Sequence, residues 1–168
     1  MQPRRVRRVE VPPQVDASFA RSTANYATAF VLTTEAAGTR TPVQWARAVF
    51  EGAPAALRWC MVFGWTRVLG LRLARSPSDD HVLGWAIADR YVVPGSTALI
   101  GESRFLRASN TVTVEGSTVT WVTLVHYSSA AARPLWALAR PIHHLTIPYL
   151  LGRAARTSGG APAAGPPA

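Results

Sequence analysis

An α+β fold, with a curved antiparallel sheet covered along one face by a long C-terminal helix, is predicted by two stretches of this 168-residue chain. From Asn110 to Ser128, branched and small residues alternate with period two on both sides of Glu115-Gly116, as a tight hairpin requires. From Arg133 to Arg156 the sequence switches to helical spacing and is apolar almost throughout.

The remaining elements follow in order. Tyr26–Leu32 reads as a first strand, with Tyr26, Thr28, Phe30 and Leu32 on one face. Thr41, Pro42 and Gln44 form a helix start: a Thr cap, Pro at the first helical position and Gln three residues after the cap. That helix should run to about Phe50, with Trp45, Ala48 and Val49 on its apolar stripe, and end at Gly52. A second helix begins at Pro54 and aligns Leu57, Met61, Trp65 and Leu69, with Gly70 as its C-terminal cap. Strands resume at His81, where Leu83, Trp85 and Ile87 alternate, and Pro94-Gly95 marks a turn. Another strand is expected from Thr97 to about Arg107, followed by the hairpin of Asn110–Val114 with Ser117–Ser128. In the last strand Val119, Trp121, Thr123, Val125 and Tyr127 should face the interior.

In the C-terminal helix, Leu135, Leu138, Ile142, Leu145 and Tyr149 recur at 3-4-3-4 spacing, so this stripe is expected to cover the sheet and to leave Arg140 and His144 exposed. Trp136, Ile147 and Leu151 fall off the stripe, which calls for a cover on the outer side, by another segment or a second copy of the chain. Pro134, Pro141 and Pro148 recur every seven residues, and Pro141 is expected to bend the helix because it lacks the N–H that would bond Ala137. Residues 1–20 read as a poorly ordered basic lead-in, 21–156 as a single domain and 157–168 as a disordered Gly/Pro/Ala tail.

Composition narrows the function classes. The net charge of +9 comes from eighteen Arg with no Lys, a pattern that fits a GC-rich coding bias. Outside Arg4, Arg5, Arg7 and Arg8 these arginines are scattered, which argues against specific nucleic-acid binding. Cys60 is the single cysteine and cannot form an intrachain disulfide. The basic start lacks the apolar stretch of a secretory signal, and no segment is long and uncharged enough to span a membrane, so a cytoplasmic protein is expected. His81, His126, His143 and His144 share no metal-ligand spacing, and no nucleophile motif or phosphate loop occurs, so neither a metal nor a cofactor is called for.

The segments ARAVFEGAPAALRWC, FLRASNTVTVEGSTVTWVTLVHY and LWALARPIHHLTIPYLLGRAAR resemble the family catalogued as domain of unknown function 2867. That family is similar in fold to the helix-grip superfamily of START-like and polyketide-cyclase-like proteins (SRPBCC). The resemblance covers about residues 20–156 and implies a lipid-binding type of cavity between sheet and C-terminal helix, without implying an activity.

The candidate ligand-binding residues are Trp85, Trp121, Tyr127 and Tyr149 as aromatic walls, His143 at the edge of the covered helix face, and Glu102 with Arg104 as a polar pair. The expected function is binding of a hydrophobic or amphipathic small molecule between sheet and C-terminal helix. The alternatives are a cyclase- or hydratase-type enzyme, with His143 or Glu102 as acid/base, and a self-association module that forms a homodimer through the outer face of the C-terminal helix.

Overall fold

The computed structural model describes residues 6–12, 24–88 and 94–158. Seven strands form one antiparallel sheet: β1 (Val6–Val9), β2 (Tyr26–Thr33), β3 (His81–Val82), β4 (Trp85–Ala88), β5 (Ser96–Glu102), β6 (Leu106–Glu115) and β7 (Thr118–Tyr127). Their order across the sheet is β1-β2-β7-β6-β5-β4-β3. Helices α1 (Pro42–Phe50) and α2 (Ala55–Phe63) fill the connection between β2 and β3, and α3 (Ala132–Ser158) closes the chain.

The local signals act as the chemistry demands. The Thr41 hydroxyl accepts from the Gln44 backbone N–H, and the Gln44 side chain accepts from the Thr41 N–H, a reciprocal box that fixes the start of α1. The β6–β7 hairpin turns at Gly116, whose φ of 53° suits a residue without Cβ. Its register sets Asn110 opposite Thr123 and Val112 opposite Trp121. All five predicted inward positions of β7 lie on the core side; Val119, Trp121, Thr123 and Val125 are buried and Tyr127 is half-buried.

Two strand boundaries differ from the sequence reading. The alternation from His81 to Ile87 is broken by a hairpin at Leu83-Gly84, where both residues have positive φ, so it yields β3 and β4 instead of one strand. The expected strand from Thr97 to Arg107 ends at Glu102, where the Ser103 hydroxyl accepts from the N–H groups of Phe105 and Leu106 and turns the chain into β6. The N-terminal lead-in also carries structure: Val6–Val9 pair with Ala29–Leu32 and form one edge of the sheet. At the other end α3 continues to Ser158, while 159–168, the rest of the predicted tail, lie outside the described residues.

The core lies between the sheet and the three helices. Trp45, Phe50 and Trp121 are buried there, with the Phe50 and Trp121 rings edge-to-face at 5.0 Å. Gly101 is required by the ring of Trp85, since a Cβ at this position would lie 2.9 Å from it. On the opposite sheet face, Ala29, Val122 and Leu124 form a smaller cluster with Val9 and Val11 from the N-terminal segment.

Helix α3 is seated differently from the expectation. Its buried face is Ala132, Trp136, Ile147, Leu150, Leu151, Ala154 and Ala155, packed over β1, β2 and α1. The expected stripe points outward: Leu138 is 66%, Ile142 62%, Leu145 76% and Tyr149 48% exposed, and only Leu135 is half-buried. At 100° per residue the helix is turned by roughly 150° from the predicted orientation. Small residues on the buried face allow close approach to β2 and α1, and Arg40 donates to the Ala154 carbonyl at 3.1 Å. Pro134 and Pro141 are exposed, so the Ala137 carbonyl that Pro141 leaves without its helical donor also lies on the exposed side, where water can bond it. The helix runs without interruption through Pro141 and Pro148.

The most deeply buried polar cluster yields a stability prediction. Asn110 Oδ1 accepts from Trp121 Nε1–H at 3.1 Å and from the Thr123 hydroxyl at 2.7 Å, all within the core. Replacing Asn110 with Ala leaves two buried donors unpaired, at about 1–3 kcal/mol each. Urea denaturation should therefore give a loss of about 2–5 kcal/mol, large against the 5–15 kcal/mol stability of a typical domain.

Candidate functional site

A groove of about 220 Å³ runs between α2 and α3. Its α2 side is Leu57, Cys60 and Met61, continued by Gly64, Trp65 and Val68 in a π-turn that extends the helix over Gly64–Val68. In that turn the Leu69 N–H reaches back to the Gly64 carbonyl at 3.0 Å, and the Thr66 hydroxyl donates to the Val62 carbonyl at 2.7 Å. Such single wide turns concentrate at functional sites, because they displace side chains from regular helical spacing. The α3 side is Trp136, Ala139, His143 and Ile147, with Leu138 and Ile142 at the rim.

The groove is apolar, yet two of its wall residues, Trp136 and His143, each carry a side-chain nitrogen (Nε1 and Nε2) that is closed to solvent and has no hydrogen-bond partner among the described residues. A buried polar group without a partner costs roughly 1–3 kcal/mol, and most such groups in folded proteins are satisfied. The His143 ring stands among Trp136, Tyr26 and Phe30, with centroids at 5.7, 6.3 and 6.3 Å. Burial, aided by the adjacent His144, lowers its pKa from 6.5 to about 3. His143 is therefore a neutral imidazole at physiological pH. Trp136 offers a fixed donor and His143 Nε2 offers a donor or an acceptor according to its tautomer.

A larger trough of about 1210 Å³ lies on the other flank of α2, open to solvent and lined by Arg58, Arg67, Arg72 and Arg75 among others. Its fixed members are committed within the protein: Arg47 pairs with Glu51 at 3.1 Å, and Arg58 donates to the Glu51 carbonyl at 2.7 Å. The smaller groove is the better candidate because it combines an apolar wall with two lining residues that each carry an unsatisfied buried nitrogen.

Of the seven residues singled out in the sequence, the structure brings one into this groove, His143. Trp121 is fully buried and bonded to Asn110, so it fills the core. Trp85 sits one layer behind the groove, its ring 5.4 Å from that of Trp65 and edge-on to it. Tyr127 packs against the edge of the core, and Tyr149 faces outward with the rest of the misassigned stripe. Glu102 pairs with Arg107, its cross-strand neighbour, at 2.7 Å and not with Arg104, whose guanidinium stacks over Phe105 at 4.5 Å. His144 is half-buried, where exposure was expected, and its Nε2 bonds the Tyr26 hydroxyl. Burial, with Arg8 and Arg140 nearby, lowers the pKa of His144, and burial raises that of Tyr26. The groove residues that sequence reasoning missed are those of α2 and Trp136. Trp136 and His143 are seven apart and share a helix face, but that signal was masked by the cleaner-looking stripe beside it.

No family model matches the chain, and no curated protein matches it. Among solved structures, the extracellular domain of PknH from Mycobacterium tuberculosis aligns over 96% of this chain and 81% of its own, at 12% identity and a TM-score of 0.30. A likeness that slight carries no argument about fold or function.

The buried imidazole makes stability depend on pH. The unfolded chain binds a proton at His143 near pH 6.5 and the folded chain only near 3, so between these values unfolding takes up a proton and stability rises with pH. Acidification from pH 6.5 toward 4 should lower the unfolding free energy by up to about 1.4 kcal/mol per pH unit from this group. Denaturation of His143→Leu at the same pH values should show a shallower decline; an unchanged slope would place the titration elsewhere.

Proposed function

We propose that the protein binds a small amphipathic molecule whose apolar part lies in the groove between α2 and α3 and whose uncharged polar head meets Trp136 and His143. The observation that carries this reading is that two residues lining an apolar groove, Trp136 and His143, each carry a buried nitrogen without a partner among the described residues. The volume limits the ligand: about 220 Å³ exceeds the ~150 Å³ cavity that admits benzene and falls short of the ~300–1,000 Å³ clefts that enclose drug-sized molecules. One alkyl chain of moderate length or one ring fits that range. A carbonyl or ether oxygen would accept from Trp136 Nε1–H and, in the Nε2–H tautomer, from His143. A neutral histidine favours a neutral head over a carboxylate.

The same reading takes the fold as a helix-grip member of the START-like superfamily. The support is topological: two strands, two helices, an antiparallel run and a closing helix, with β2 hydrogen-bonded to β7. The groove differs from the expected cavity in its walls, since α2 and α3 line it and the sheet does not. The binding reading is preferred over a cyclase or hydratase, because an imidazole whose conjugate acid has a pKa of about 3 is a weak base, and Glu102 is an exposed sheet residue outside the groove.

Titration with 2-octanone, followed by ¹H–¹⁵N correlation of the indole N–H groups, tests the proposal. The Trp136 indole resonance should shift on binding, and octane should bind several-fold more weakly, as expected for the loss of one hydrogen bond worth about 0.5–1.5 kcal/mol. His143→Leu should weaken 2-octanone several-fold while leaving octane little changed. If 2-octanone near its solubility limit leaves the Trp136 resonance unmoved, the reading fails.

A further inference from the structure

The trough on the other flank of α2 gathers more positive charge than its own acids answer. Five arginines and two carboxylates line it, a surplus of three positive charges. Both acids are drawn to Arg47: the Glu51 carboxylate pairs with its guanidinium at 3.1 Å, and the Asp79 carbonyl accepts from it at 3.0 Å. Glu51 Oε1 also accepts from the Leu83 N–H, and Arg58 donates to the Glu51 carbonyl. Arg67, Arg72 and Arg75 are exposed, and their side chains have no hydrogen bond or ion pair among the described residues.

The backbone that carries these three is held in place. Arg67 belongs to the π-turn. Beyond it, the Leu71 N–H donates to the Trp65 carbonyl at 2.8 Å, the Arg72 N–H to the Glu102 carbonyl at 2.9 Å and the Ala74 N–H to the Gly84 carbonyl at 2.9 Å. Gly84 has a φ of 87°, and a Cβ there would stand 2.8 Å from the Ala74 carbonyl oxygen, so the segment lies directly on the β3–β4 turn. Val62, Leu71, Leu73 and Leu83 give the trough an apolar lining as well, buried or half-buried. Like charges that share one concavity focus a positive potential at its opening. A guanidinium presents a planar fork of donors that matches phosphate oxygens, and a ligand with a single negative charge would leave most of the surplus unanswered. A volume of about 1210 Å³ exceeds the ~300–1,000 Å³ of clefts that enclose drug-sized molecules, so several phosphates and an organic body fit together.

We propose that the trough is a binding site for a small polyanion of the phosphate-ester class, with Arg67, Arg72 and Arg75 on the phosphate oxygens and Leu71, Leu73 and Leu83 against the organic part. The site lies across α2 from the groove and stands independently of what fills the groove.

Isothermal titration of the full chain with ATP, in 50 mM NaCl and EDTA, tests the proposal. ATP should bind at one site per chain. The triple variant Arg67→Gln/Arg72→Gln/Arg75→Gln alters exposed side chains, so its circular dichroism should be unchanged while its ATP affinity falls at least ten-fold. The variant Arg133→Gln/Arg140→Gln/Arg156→Gln removes the same charge from exposed positions of α3 outside the trough, and should bind ATP within two-fold of the parent. Inorganic tripolyphosphate should bind several-fold more weakly than ATP, because it leaves the leucines uncovered. Tripolyphosphate bound as tightly as ATP would make the site one for inorganic anions and overturn the ester assignment. Equal losses in the two triple variants would reduce the binding to net charge, and no binding at 2 mM ATP would leave the trough without a ligand of this class. A single-stranded twelve-nucleotide DNA bound a hundred-fold tighter than ATP would make the partner a nucleic acid. Each of these results overturns the proposal.

Discussion

The seating of α3 on β2 and α1 is the contact from which the rest of the molecule takes its arrangement. Trp136, Ile147, Leu150 and Leu151 supply the buried bulk, and Ala132, Ala154 and Ala155 let the helix approach closely. Two arginines tie its last turns to the segments on either side of α1: Arg40 donates to the Ala154 carbonyl, and Arg153 donates to the Gly52 carbonyl. Once this face is chosen, three consequences are fixed. His143 goes inside and loses its charge, Leu138 and Ile142 become the rim of a groove, and the proline row goes to the side where a carbonyl without its helical donor can meet water.

Much of the framework was legible because the signals were local. The capping box at Thr41–Gln44 and the hairpin at Gly116 each rest on a few residues whose chemistry has one good solution. The inward face of β7 was legible for the same reason, since period-two alternation leaves only two choices and the tryptophan decides between them. The orientation of α3 was not. Its sequence is apolar on two sides, so periodicity offers two stripes, and the better-spaced one lost to a stripe of mixed large and small residues. What selects between them is the shape of β2 and α1, which a helical wheel does not contain.

The candidate site suffered from that same error. Trp121 and Tyr149 were chosen as walls of one cavity, yet one became core and the other solvent-facing once the helix was turned. His143 survived because it sits near the border between the two stripes. The α2 wall was invisible in sequence because the π-turn at Gly64–Val68 breaks the spacing that would have aligned its residues. The break at Leu83-Gly84 was missed for a related reason: a positive φ at leucine is unusual enough that sequence preference points away from it.

The two margins of the sheet have a bearing on how the protein stays dispersed. One margin is the two-residue strand β3, too short to template another chain. The other is β1, whose central residues Arg7 and Arg8 are exposed and whose backbone occupies the flank of β2. Behind it lies Tyr-Ala-Thr-Ala-Phe-Val-Leu-Thr, eight residues without charge or proline. Four residues carrying two positive charges thus stand between that segment and its own likeness in a neighbouring molecule. Proteolytic trimming ahead of Glu10 would uncover a long, uncharged row of free backbone donors and acceptors, the kind of edge from which cross-β stacking grows.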